Sequence, residues 1–516
     1  MDNILNAFRS FMEVGGGGLL LPEMMLVLCG LGILLIDYIL QTRDKFFNAV
    51  LAMLGVISSG ICIWELVPAA ETGRAIGFSS SLVVDPFFIF FGFVFLLAAA
   101  FVILISVRYM QIEDENHGEY YALILFATVG MMFMASGYDL IVQFLGLETM
   151  ALSFYVLAGF LRRDRRSNEA AVKYLLLGAF SSAILAYGFS ILYGIGATSG
   201  FSAFQGTVPA TNLDVIQIGV EGHGRAHILV LLALVTVISG MFFKIAAVPF
   251  HQWAPDVYEG SPTPITAYIS VASKTASFAM LLRLLFTVFW PVRLDWQMLV
   301  AGAAIASLTV GNFAAITQSN IKRMLAYSSI SHVGYLLLGV VAAASSDDGF
   351  LTGMKGVAFY LFVYGFMTIG AFAVVIVLQW QGVIGDELDD LNGLYRGSPS
   401  SALVLLIFML SLAGIPPLAG FIGKYFILQA LIETGHTGLA LFGALYIVPA
   451  LYYYFRIVAR AYLYEPGNAA SPIVTFGQRV ALAGLCFVTV AAGIYPEPFV
   501  RLATYSLFFP VGVAGH

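Results

Sequence analysis

The chain has 516 residues, 60% of them hydrophobic and only 10% charged, with a net charge of −6. A soluble domain carries about 25% charged residues, so this composition excludes an ordinary globular enzyme and indicates an all-α polytopic membrane protein. The charge balance decides little, because orientation follows where Lys and Arg lie and not their total.

Runs of about twenty apolar residues predict about 14 transmembrane helices. They lie near 19–40, 46–66, 84–107, 119–136, 138–160, 169–196, 227–259 (broken), 263–289, 298–316, 323–343, 352–379, 401–432 (broken), 437–460 and 479–499. The first run is long enough to span and is followed directly by others, so no cleavable signal peptide is expected. Cys29, Cys62 and Cys486 stand alone in apolar runs, and no CxxC offers an iron–sulfur or zinc ligand set. Gly194 and Gly196 do not make a dinucleotide fingerprint, and no Walker loop is present.

Alternate loops differ in charge. One set holds Arg43, Lys45, Arg108, Arg162, Arg163, Arg165, Arg166, Lys322, Arg323, Arg396, Arg456, Arg460 and Arg479; the other holds Arg9, Arg74, Arg225, Arg293, Arg501 and Lys355. The positive-inside rule assigns the first set to the cytoplasm and both termini to the outer side. Five cations remain, and all fall within predicted helices: Lys173, Lys244, Lys274, Arg283 and Lys424. The chain has only seven lysines, so four of them are here.

Glu148, Lys244 and Lys274 lie near mid-helix, where side chains cannot snorkel to the interface and insertion costs roughly 2.5–3.5 kcal/mol each. Lys173 is near a helix end, where an interfacial role competes with a functional one. Arg283 is close to the outer end and reads as structural. Pro249 breaks the seventh span, because it has no N–H and strips the carbonyl of Ile245 of its helical partner. Within a membrane such a break is tolerated only where protein or water surrounds it. A buried lysine beside it is the architecture of an ion pathway.

The second broken span reads SLAGIPPLAGFIGKYFIL, with Pro416 and Pro417 at the break and Lys424 after it. Pro249 and Pro416 are five predicted helices apart. An odd number of spans inverts topology, so two inverted five-helix repeats are expected. The organisation predicted is a three-helix segment over 1–118, a first repeat over 119–290, a second over 291–462 and a C-terminal helix and tail over 463–516. The tenth span carries His332 in place of a carboxylate. A lone histidine there is either a satisfied core residue or a proton relay.

These segments resemble the antiporter-like membrane subunits of respiratory complex I, and most closely the subunit N branch of bacterial NADH-quinone oxidoreductases. The resemblance rests on FLGLETMALSFYVLAGF, RRDRRSNEAAVKYLLLGAFSSAILAYG, GMFFKIAAVPFHQWAPDVYEGSPTPITAYISVASKTASF, QSNIKRMLAYSSISHVGY and GIPPLAGFIGKYFIL. It implies one proton channel in this subunit, with Glu148, Lys173, Lys244, Lys274 and Lys424 at the family's functional positions. It also implies a bacterial inner-membrane location and a hetero-oligomer with other membrane and peripheral subunits, with no nucleic-acid partner. NADH, FMN, the iron–sulfur clusters and quinone then belong to partner subunits, and this chain holds no cofactor or metal. The rival readings are a subunit of a multisubunit cation/proton antiporter without redox chemistry and a structural membrane subunit without an ion path.

Physically, burial penalises the charged form of an amine, and a nearby carboxylate opposes that. At about 4 Å and an effective dielectric of about 20, one such pair is worth about 4 kcal/mol. Moving one proton against about 150 mV costs about 3.5 kcal/mol. A Glu148–Lys244 pair that forms and breaks is therefore a switch of suitable size, with Lys274 and His332 passing the proton to Lys424.

Overall fold

The computed structural model describes residues 17–40, 45–71, 73–200, 208–225, 227–378, 386–465 and 474–507. Thirteen helices among these are long and apolar enough to cross a membrane. The remaining span is the second broken one, in two shorter halves, Pro399–Ala413 and Ala419–Glu433. In chain order the helices are α1 (Leu21–Ile39), α2 (Phe46–Glu71), α3 (Pro86–Ile112), α4 (Gly118–Ser136), α5 (Leu140–Ala158), α6 (Arg165–Ile195), α7 (Leu213–His223), α8 (Ile228–Ile245) and α9 (Trp253–Gly260). Then come α10 (Thr263–Val288), α11 (Arg293–Thr317), α12 (Ile321–Ala343), α13 (Asp347–Leu378), α14 (Pro399–Ala413), α15 (Ala419–Glu433), α16 (Thr437–Leu445), α17 (Ile447–Leu463), α18 (Phe476–Ile494) and α19 (Glu497–Tyr505). A short antiparallel hairpin pairs Ala75–Gly77 with Leu82–Val84.

In lipid every backbone group must find its partner within the protein, which leaves helices as the spanning element here. Their starts are fixed locally. Asp85, Asp139, Asp164, Asn212 and Asn320 accept from the first-turn N–H groups of Phe88, Ile141, Arg166, Asp214 and Arg323.

Helix α10 is the centre of the bundle. It is buried along its whole apolar length and packs against α3, α4, α8 and α13. Its ladder widens to a π-turn at Ile269–Ser273, the five residues before Lys274. Such turns are frequent at functional sites. Helices α12 and α13 are nearly as enclosed, whereas α1, α16, α17 and α18 turn Leu31, Leu35, Leu441, Val448 and Phe487 outward. Apolar side chains on the rim and polar ones at the centre are what a bilayer solvent selects.

Two sequence expectations are corrected. The stretch between the sixth and seventh predicted spans, where no helix is expected, contains helix α7, capped by Asn212. Its eleven residues are too short to register as a span. Lys322, counted among loop cations, is buried in the first turn of α12, because the chain folds back and covers that turn with Ser261. Arg283, near the end of α10 as expected, is fully buried on Asp85, which caps α3, with contacts of 2.9 and 3.1 Å. That ion pair fits a structural role. Arg9 and Arg43 of the charge argument lie outside the described residues.

Candidate proton-relay site

Both broken spans place a lysine amine at the C-terminal end of a half-helix. There the last carbonyls have no intrahelical partner, and the aligned peptide dipoles leave a partial negative charge. In the first, α8 stops at Ile245 and Ala246 takes the left-handed conformation, so Lys244 occupies the last turn. Trp253 of α9 donates at 2.8 Å to the carbonyl of Phe243, which also accepts from the Ala246 N–H at 3.0 Å. Lys244 is 4% exposed, and its Nζ donates to the Tyr155 hydroxyl at 3.4 Å. Tyr155 can approach because α6 carries Gly178 opposite it: a Cβ there would stand 2.1 Å from the Tyr155 oxygen.

In the second, α14 stops at Ala413, and Gly414 turns the chain with φ of +88°. Lys424, from the second turn of α15, reaches back across the break. Its Nζ donates to the carbonyls of Leu412 at 3.0 Å and Ala413 at 2.9 Å, with the Tyr335 ring 5.0 Å away. The dipole end holds the ammonium where no carboxylate does.

Between them Lys274, 2% exposed, hydrogen-bonds Ser329 of α12 and lies 5.5 Å from the centre of the Tyr258 ring. Tyr364 donates to the same Ser329 oxygen at 2.9 Å. One turn along α12, His332 is sandwiched between two phenols: Nδ1 is 2.5 Å from the Tyr360 hydroxyl and Nε2 is 3.0 Å from that of Tyr454. Ser328 hydrogen-bonds Tyr454 in turn. Both Lys274 and Lys424 lie near enough to act electrostatically on the His332 ring. Each hydroxyl here both donates and accepts. Among the described residues none of Lys244, Lys274 and Lys424 is ion-paired; each rests on neutral partners.

The other two candidates sit differently. Glu148 is half-buried on a face of α5 that also turns out Leu145 and Leu152. Its Oε1 has no hydrogen-bond partner, and it makes no ion pair among the described residues. The direct Glu148–Lys244 pair inferred from sequence is therefore absent. Depth along a helix was readable, but the direction a residue faces was not. The carboxylate acts on Lys244 through space. Tyr155 stands two turns from Glu148 on the same face of α5 and touches the amine instead. Lys173 lies at the rim of an open polar cavity of about 270 Å³, in ion pairs of 2.8 Å with Glu169 and 2.7 Å with Asp256. Asp256 and Glu259 also hold Arg323 at 2.7 and 2.9 Å. The structure thus gives Lys274, His332 and Lys424 three separate sets of hydrogen-bond partners in the buried centre, holds Lys244 on Tyr155, and leaves Glu148 half-buried and Lys173 at the cavity rim.

Sequence reasoning missed Tyr155, Ser329, Tyr360, Tyr364 and Tyr454. Tyr360 and Tyr364 are four residues apart, and Ser328, Ser329 and His332 share one helical face. Those spacings were the available signal.

A membrane bundle with two interrupted helices and a row of unpaired buried lysines defines the class: an ion-translocating transmembrane subunit. The profile of the family described as "NADH:quinone oxidoreductase/Mrp antiporter, TM" matches residues 137–448. "NADH-quinone oxidoreductase subunit N 2" of Solibacter usitatus is 50% identical over 95% of this chain and 97% of its own length. The subunit N of Trichlorobacter lovleyi is 43% identical over 92% of each chain. Among solved structures, a chain of respiratory complex I from Thermus thermophilus with bound Aureothin superimposes with TM-score 0.76 at 29% identity, covering 94% of this chain and 99% of its own. A chain of the Mrp complex from Dietzia sp. shares the fold, with TM-score 0.78 at 20% identity over 94% and 96%. The chain belongs to the subunit N family of NADH-quinone oxidoreductases.

Proposed function

We propose that protons cross this protein along Lys244, Lys274, His332 and Lys424, with Glu148 and Lys173 at the flanks of that row. The chain is a membrane subunit of a proton-translocating NADH:quinone oxidoreductase and works within a multisubunit respiratory complex. The observation that carries the pathway is three buried amines without counter-ions among the described residues, each on neutral partners, with His332 and its phenols near two of them. An amine without a carboxylate partner can exist charged or neutral at modest cost, which a relay requires and a structural ion pair does not.

On this reading a change near Glu148 alters the field at Lys244 through Tyr155. Lys244 then exchanges a proton with Lys274, and Ser329, His332 and the tyrosines carry it to Lys424. Electron transfer supplies the energy from elsewhere: NADH, FMN, the iron–sulfur clusters and quinone are held by partner subunits. The membrane is the bacterial inner membrane, with the Arg-rich ends of α5 and α6 in the cytoplasm and both termini outside. The units 119–290 and 291–462 act as inverted repeats, one half-channel each.

Gentle purification from the native membrane tests this function. Flavin, iron–sulfur subunits and NADH:quinone activity should come with the chain. Small hydrophobic partners without redox centres would instead support the cation/proton antiporter.

A further inference from the structure

We propose that Lys322 and Tyr258 form a second proton intake, which leads from the polar cavity straight to Lys274 without passing Lys244. This inference rests on the proposed relay role of Lys274.

Lys322 is a buried titratable group that the row above does not use. It is 5% exposed, and the protein meets one of its three N–H donors, through the Ser261 carbonyl at 2.8 Å. Asp386, Asp164, Glu259 and Arg166 surround it electrostatically, yet none of the three carboxylates pairs with it among the described ion pairs. An amine kept among acids but off any of them is poised to take up and release a proton, whereas a paired one is pinned.

Its position supplies a source and a destination. On the source side, Glu259 and Gly260, which directly precede Ser261, line the open cavity with Arg166 and Arg323. On the other side, Lys322 and Ser329 are seven residues apart on one face of α12, about 10 Å along the helix, and Ser329 holds the Lys274 amine. Tyr258 belongs to α9, the helix whose Glu259 and Gly260 line that cavity. Its ring is fully buried beneath Lys274. Two polar atoms on this line, the Tyr258 hydroxyl and Ser261 Oγ, are buried with no hydrogen-bond partner in the protein. Buried orphan hydroxyls are rare and costly, and both flank the stretch between Lys322 and Lys274, so on this proposal water completes their bonds and carries the proton. The step balances simply. A cytoplasmic proton adds to neutral Lys322, the Tyr258 hydroxyl accepts one proton as it donates its own, and Lys274 gains one at Nζ.

The bland alternative is that Lys322 merely ties α12 to the Ser261 carbonyl. Lys322→Arg separates the two, because guanidinium keeps the charge and the donors but releases no proton near neutrality. Tyr258→Phe separates them again, because it keeps the ring under Lys274 and deletes only the hydroxyl. NADH-driven proton uptake into inverted vesicles, normalised to assembled complex on native gels, is the readout, with Lys274→Met alongside. We expect normal assembly, and uptake reduced about fivefold or more in both Lys322→Arg and Tyr258→Phe. Wild-type uptake in both, with Lys274→Met inactive, would overturn the second intake and leave the relay row intact. Wild-type uptake in Lys274→Met would overturn the row itself.

Discussion

Arg283 and Asp85 show what a structural charge in this membrane bundle looks like, and the contrast with the lysines can be measured. Arg283 of α10 holds Asp85 of α3 through both Nη atoms at 2.9 and 3.1 Å, with side-chain exposures of 0% and 2%. The guanidinium also lies 4.8 Å from the Phe87 ring centre. Removing one partner strands a charge that neither water nor lipid can reach, at a cost of about 3–5 kcal/mol. Arg283→Met should therefore lower the assembled fraction sharply. Asp85→Ala should cost about 1 kcal/mol more, because Asp85 also caps α3 by accepting from Phe88 N at 2.9 Å. The double variant Arg283→Met with Asp85→Asn leaves no orphan charge and keeps a capping side chain. It should return close to wild-type assembly, and the pump should run, since the pair lies off the lysine row. The assay is complex content on native gels after stepwise heating, with vesicle proton uptake on the same preparations. Assembly of Arg283→Met at the wild-type level, or a double variant no better than the single, would refute the reasoning.

Two further outcomes follow from particular contacts. Gly178→Ala places a Cβ 2.1 Å from the Tyr155 oxygen, and the phenol, a movable end, must swing from Lys244. The complex should assemble, with overpacking of about 1–3 kcal/mol, and proton uptake should fall severalfold; unchanged uptake would remove Tyr155 from the path. For orientation, a cysteine at Arg163 should be shielded from impermeant reagents added outside, and one at Glu221 should react; the reverse labelling would invert the topology.

Much of the fold was legible because the bilayer imposes long apolar runs, and a proline at 249 or 416 interrupts one visibly. The burial of Lys244, Lys274 and Lys424 was legible too, from their depth along those runs. Rotation about the helix axis was not. Glu148 lies at the right depth but faces the rim, and a direct contact with Lys244 could not be told from one made by Tyr155. Lys322 looked like a loop cation because α12 begins there, and only tertiary folding shows that the α9–α10 turn covers it. The Asp85–Arg283 pair joins residues 198 apart in sequence, a distance no local pattern bridges. The phenols around His332 were visible as residues but not as partners, because three helices bring them together.

The central claim is that the buried lysines move protons and do not merely hold charge. Lys274 tests it most directly, since its partners are Ser329 and the Tyr258 ring and no carboxylate is stranded when it is replaced. Lys274→Met and Lys274→Arg should both assemble, and NADH-driven proton uptake per assembled complex should fall at least tenfold in each, because neither side chain can give up a proton near neutrality. Uptake at the wild-type rate in the arginine variant would show that positive charge alone suffices at this position, and would contradict the relay.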